Sequence, residues 1–192
     1  MTQEREGSAA ERIIAAVEVQ LEAGGPDSVI VREVARQARV SLRDVYSHFG
    51  SRDELIVTAV EEWMEVHVYQ PLIEPPANTQ LVDGLIRHFR HIYEPWERNP
   101  RMLEAYVYAQ STPSGGRLFE RGRTLVEPIT RSLFEGVDAA YAEDVLLIID
   151  NLVYALMARY AAGDVPLADI MPTIERVLRR LTAHVEPVRG ST

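Results

Sequence analysis

Five arginines, Arg32, Arg36, Arg39, Arg43 and Arg52, stand against only two carboxylates, Glu33 and Asp44, between positions 32 and 52 of a 192-residue chain with a formal net charge of −9. The guanidinium group is a planar fork of donors that matches phosphate oxygens. A local positive excess on an otherwise acidic chain therefore points to a patch that grips a polyanion, not to a surface that wraps one. Tyr46, Ser47 and His48 lie in the same stretch and add side chains that can hold a phosphodiester backbone in register. A second group is aromatic. Trp63, His67, Phe89, Tyr93, Trp96, Tyr106, Tyr108 and Tyr154 carry rings, several with polar tips; Met102 adds an adaptable apolar side chain; Asp150 and Asn151 interrupt the apolar run from Val145 to Met157. A largely apolar pocket with a few polar groups is how a small hydrophobic molecule is held. A ligand, neighbouring side chains or a second copy of the chain could each satisfy Asp150 and Asn151 if they are buried. His88 and His91 have a spacing that a metal could use, with His67 elsewhere, but no carboxylate stands at a matching position. A solvated helix face accounts for these histidines better, and neither metal nor cofactor is expected.

Several classes of function find no support. Cysteine is absent, which removes disulfides, thiolate metal sites and cysteine nucleophiles together. There is no G-x-S-x-G elbow, phosphate-binding loop or H-E-x-x-H pair, so no enzymatic activity is expected. The first residues lack the apolar segment of a signal peptide, and the run from Val145 to Met157 is too short to cross a bilayer and carries a charge at its middle. The expectation is a cytoplasmic protein without membrane contact.

Helices have to carry these groups. Apolar residues recur at helical spacing throughout, and no stretch alternates as a strand would, so the fold class expected is all-α. After a polar tail over residues 1–9, Ile13, Ile14, Val17 and Leu21 mark a first helix that Gly24-Gly25-Pro26 stops. Val31, Val34, Ala35 and Ala38 form the stripe of a second. Arg39-Val40-Ser41 makes a turn, and Leu42, Val45, Tyr46 and Phe49 form the stripe of a third, which Gly50 ends. Ser51 with Glu54 reads as a capping box opening a fourth helix, from Arg52 to about Val68, which the Pro71 and Pro75-Pro76 segment closes. Further helices are expected over 80–98, 100–110, 117–134, 140–162 and 166–184. Two short helices joined by a tight turn match a helix-turn-helix, whose second helix enters the major groove.

Val34-Ala35, Val40-Ser41 and the run from Val45 through Tyr46, Ser47, His48, Phe49, Gly50, Ser51, Arg52, Asp53 and Glu54 to Leu55 resemble the signature of the TetR family of bacterial transcriptional regulators. The resemblance is close over residues 11–57 and elsewhere rests on length and helix count. It implies that Tyr46, His48 and Arg52 touch phosphates, as the charge suggests for Arg32, and that Ser41, Leu42, Arg43, Asp44 and Ser47 face bases. The sequence departs from the family pattern at Ile30, which stands where a threonine N-cap is common, and at Arg43 and Asp44, which replace glycine and threonine. An Asp at a DNA surface repels phosphate unless it accepts from a cytosine or pairs with an arginine, and these departures leave open a helical sensor or interaction module that does not bind DNA.

The family architecture implies a DNA-binding domain over 1–55, a ligand-binding and dimerisation domain over 56–186 and a disordered tail over 187–192. It further implies a homodimer formed through the last two helices, with Ile149 and Leu178 in the apolar seam. Such a dimer is expected to repress from a palindromic operator and to release it when a small hydrophobic effector binds among Trp63, His67, Phe89, Tyr93, Trp96, Met102, Tyr106, Asp150, Asn151 and Tyr154. A fainter resemblance, in Arg98-Asn99-Pro100, Glu104 to Ala109 and Ile149-Asp150, is to the effector domain of mycobacterial repressors of cholesterol catabolism, and implies a lipid-like or acyl-CoA ligand.

Overall fold

Local punctuation starts and stops most of the helices. In the computed structural model, residues 8–70 and 80–183 are described, and among them there are nine α-helices and no strand. Helix α1 (Ala9–Gly24) opens on a reciprocal Ser8–Glu11 capping box and ends where Gly25 takes φ +71°. A 3-10 turn, Pro26–Ser28, leads to α2 (Val31–Gln37), then α3 (Leu42–Phe49) and α4 (Arg52–Met64), which widens into a π turn over Glu65–Tyr69. The chain continues with α5 (Leu81–Arg98), α6 (Pro100–Gln110), α7 (Gly116–Ser132), α8 (Ala139–Ala161) and α9 (Ile170–Leu181). The last helix starts later than expected, because Leu167–Asp169 after Pro166 forms a 3-10 turn instead. The expected residue 187–192 tail and the Pro71 and Pro75-Pro76 segment lie outside the described residues, as do residues 1–7 of the expected N-terminal tail.

The chain divides into two compact units. The first comprises residues 1–67 and 99–120, the second residues 68–98 and 121–192, so the division falls inside the π turn and again inside α7. The unit holding the helix-turn-helix therefore reaches beyond residue 55 and takes in α6. Its core is built from Ile13, Val17 and Leu21 of α1, Val34 and Ala35 of α2, Val45 of α3, Leu55, Ile56 and Val60 of α4, and Met102 and Leu103 of α6. In the second unit α9 packs on both α5 and α8, with Leu85, Ile149, Ile170, Ile174 and Leu178 buried.

Candidate nucleic-acid interface

The turn between α2 and α3 is held by its own backbone. Val40 N–H donates to the Ala35 carbonyl at 3.0 Å and Arg39 N–H to the Arg36 carbonyl at 3.3 Å. These are the two bonds of a Schellman motif, and they require a left-handed residue, here Arg39 at φ +55°. Glycine takes that conformation without cost, whereas a side chain pays for it. Arg39 is nevertheless present, and its side chain is exposed.

The start of α3 is also fixed. Ser41 accepts from Asp44 N–H at 3.1 Å, while Asp44 Oδ2 accepts from Ser41 N–H at 3.0 Å and from Ser41 Oγ at 2.7 Å. The two Ser41 donors, side chain before backbone, hold the Asp44 carboxyl below its ordinary range. Asp44 is thus tied back onto its own helix N-terminus as a cap, which explains its presence in a positively charged segment. The Ser41-x-x-Asp44 spacing carried that signal, although Asp44 reads from the sequence as a base-facing anomaly. The box expected at Ser51 and Glu54 is only half made. Ser51 accepts from Glu54 N–H at 3.1 Å, but the Glu54 carboxylate is held by Ser114 and Arg117.

Of the third-helix stripe only Val45 is fully buried. Leu42 and Tyr46 are exposed, along with Ser41, Arg43, Asp44, Ser47 and His48. Leu42 and Tyr46 have the spacing of the apolar stripe but do not join the core; they stay on the accessible side, where the DNA-facing reading also places them. The sequence-identified DNA residues on α3 therefore share one accessible element, and exposed Arg32 on α2 lies in the same motif. His48 Nδ1 lies 2.7 Å from the Asp44 carbonyl. A carbonyl only accepts, so Nδ1 carries the proton, and Nε2 can donate to a phosphate only in the imidazolium form.

The basic residues play different parts. Arg36 pairs with Glu33 at 2.8 Å, while Arg32 and Arg39 have no ion-pair partner among the described residues. Arg52 is half-buried. Its Nε donates to the Val29 carbonyl at 3.1 Å, one terminal nitrogen to the Pro26 carbonyl and the other to Tyr108 Oη at 3.2 Å, with the guanidinium 5.8 Å from the Tyr108 ring centre. The Tyr108 hydroxyl in turn donates to Asp53 at 2.6 Å. Arg52, read from the sequence as a phosphate contact, is here a strut joining the start of α4 to the 3-10 turn and to α6. Sequence alone did not reveal it, because Pro26, Val29 and Tyr108 are distant along the chain. Arg117 is a second strut from α7 to α4, bonded to Glu61 Oε2 at 2.9 Å, to Thr58 Oγ1 at 2.9 Å and to Glu54.

The expected effector residues are divided between the units. In the first unit Trp63 and Met102 are buried, Tyr106 is half-buried and bonded to Gln110 at 2.7 Å, and His67 is exposed, its ring 4.8 Å from that of Trp63. Trp63 Nε1 donates to Glu22 at 3.3 Å. In the second unit Phe89, Tyr93 and Trp96 are buried on α5. His88 is buried as well, which corrects the expectation of a solvated face, and no cluster of three or more ligating side chains suited to a metal occurs among the described residues.

Asn151 and Tyr154 do not face inward. They lie on the exposed side of α8 with Leu147 and Ile148, Leu147 being 64% and Tyr154 62% exposed, and Asn151 donates back to the Leu147 carbonyl at 2.7 Å. Asp150 is also exposed. Ile149 and Leu178, expected in the dimer seam, are instead buried inside their own unit. The packing decides this: α8, which contacts α9, buries Ile149 and leaves Leu147, Ile148 and Asn151 exposed.

Known families and folds resemble these two regions. Residues 13–59 match the family of bacterial regulatory proteins described as the tetR family, and residues 79–181 match the tetracyclin repressor-like C-terminal domain. No curated protein matches at a significant level. Among solved structures, a TetR transcriptional regulator from Rhodococcus sp. RHA1 aligns with a TM-score of 0.68 and 18% identity, over 94% of this chain and 98% of that one. A TetR transcriptional regulator from Agrobacterium tumefaciens aligns with 0.64 and 18%, over 95% and 97%. A putative TetR-family regulator from Mesorhizobium loti aligns with 0.60 and 16%, over 94% and 98%. At these identities the structures speak for the fold.

Proposed function

The chain belongs to the TetR family, and from that premise we propose that this DNA-binding transcriptional regulator is a cytoplasmic homodimeric repressor, without catalytic activity of its own, that leaves a palindromic operator when a small hydrophobic effector binds the second unit. The observation that carries the DNA half is the build of α3. Its backbone is fixed at both ends, by the Ser41–Asp44 box and by Gly50 at φ +71°, while Ser41, Leu42, Arg43, Tyr46, Ser47 and His48 stay exposed. A short, preorganised helix with exposed donors suits a major groove. Asp44 no longer favours a degenerate head, because its carboxylate is occupied as a cap. Phosphate contact falls in this reading to Arg32, Tyr46 and His48, with Arg52 holding the motif in place.

The exposed apolar stripe on α8, Leu147, Ile148 and Tyr154 flanking Asn151, supports pairing with a second copy. A two-fold dimer must set its recognition helices about 34 Å apart to enter successive major grooves. An effector that prefers another spacing would release DNA by its differential affinity alone.

The test is a gel shift with the DNA flanking the protein's own gene. Binding that weakens steeply with salt, with log affinity falling by about 0.9 per log unit of salt for each phosphate neutralised, is expected. Absence of binding at low salt overturns the repressor reading.

A further inference from the structure

Tyr93 lies on α5 with Phe89 and Trp96, only 3% exposed, and its hydroxyl has no hydrogen-bond partner among the described residues. His91 Nε2, on the same helix, is also buried without a hydrogen-bond partner among the described residues. Protein interiors seldom leave such atoms unsatisfied unless something else completes them.

Two other buried polar side chains of this unit, His88 and Thr130, are neutral and bonded to each other. Thr130 donates to the Val126 carbonyl at 2.9 Å, so its oxygen accepts from His88 Nε2–H, also at 2.9 Å. Burial, and after it His91, pushes His88 down to about 4 and keeps its ring uncharged. Burial, followed by Glu97 and Tyr160, raises the Tyr93 phenol above its ordinary value, so it remains a proton donor. No arginine is buried among the described residues, and Arg90, Arg98 and Arg131 pair with Glu175, Glu94 and Glu127. A carboxylate entering this interior would lose its hydration and meet no buried arginine among the described residues.

We propose, on the reading that the second unit takes an effector, that the effector is an uncharged, largely apolar molecule whose carbonyl oxygen accepts a hydrogen bond from the Tyr93 hydroxyl. An ester, ketone or lactone fits this description and a free fatty acid does not. An acyl-CoA could place only its thioester and chain here.

The test uses the full chain and Nile red, an uncharged apolar dye with a ring carbonyl. Saturable binding to the wild type is expected, weaker by about fivefold in Tyr93→Phe, as the net loss of one hydrogen bond implies. Methyl decanoate should displace the dye at lower concentration than decanoate. Without any ligand, the melting temperature of Tyr93→Phe should equal or exceed that of the wild type, because the hydroxyl removed has no partner among the described residues.

No saturable binding to the wild type, equal dye affinity in the two proteins, displacement by decanoate at equal or lower concentration, or a lowered melting temperature in the ligand-free variant each overturns the proposal. The gel shift on the wild type without dye is read separately. Operator binding with no dye binding leaves the regulator standing and removes only this effector class, and dye binding with no operator binding does the reverse.

Discussion

The two units of the molecule treat their polar groups in opposite ways. In the first unit the groups that fix the helices are spent within the chain: Ser8, Ser41 and Ser51 cap helices, Arg52 is bonded to Pro26, Val29 and Tyr108, and Arg117 spans Glu54, Thr58 and Glu61. In the second unit Tyr93 and His91 keep buried polar atoms unmatched among the described residues, and α8 leaves Leu147, Ile148 and Tyr154 outside. A DNA-reading head has to be rigid before it meets DNA, since donors already in place lose less freedom on binding. The second unit, proposed above to take a partner copy and a ligand, has groups that such contacts could use.

The largest test of this contrast is on α8. A Leu147→Arg, Ile148→Arg variant should keep its helical circular dichroism, because both side chains are exposed, yet lose self-association by about two orders of magnitude through charge placed in an apolar seam. Sedimentation decides it: a variant as dimeric as wild type, or a wild type that is monomeric while binding operator normally, would remove α8 as the pairing face.

Next comes the packing of the first unit. A Cβ on Gly115 would sit 2.1 Å from the Ala109 carbonyl oxygen, whereas one on Gly116 would meet nothing within 4 Å. Gly115→Ala should therefore cost about 3 kcal/mol in urea denaturation and Gly116→Ala within about 0.5 kcal/mol of nothing. Equal effects would show that the α6–α7 corner is not as tight as it is drawn.

A smaller effect is tied to pH. Burial, then Glu22 and Glu62, raises Glu18 from 4.5 to about 7. A carboxyl raised by folding favours the folded state below its unfolded value and loses that contribution as pH climbs through the folded one. Glu18→Gln should match wild type near pH 4 and exceed it at pH 8 by on the order of 1 kcal/mol, discounted for the solvent that screens a half-exposed group. A constant difference across that range would contradict the assignment.

The smallest change is at the αL turn. Arg39→Gly relieves a left-handed side chain and should stabilise the chain by up to about 1 kcal/mol. If Arg39 also meets a phosphate, the same variant should lower the salt slope of DNA binding by about one. An unchanged slope would make Arg39 a neutral occupant of the turn.

The helix-turn-helix was legible because its information is local. Val34, Ala35, Ala38 and Val45 dock the motif, Gly50 ends α3, and each acts within one or two helical turns of its neighbours, so residue type and spacing suffice. The helical fold class was legible for the same reason, through apolar periodicity. What the sequence could not decide was the partner of each long polar side chain and the side of a thoroughly apolar helix that faces out. Arg52 looked like a phosphate contact until Tyr108, 56 positions away in sequence, was brought beside it. Ile149 and Leu147 are chemically alike, and only the packing of α8 on α9 buries the first and leaves the second exposed. Sequence determined which segments become helices, because that energy is set within a turn. Tertiary structure decided which side chains are spent inside the chain and which stay exposed, because those contacts join residues that no local rule relates.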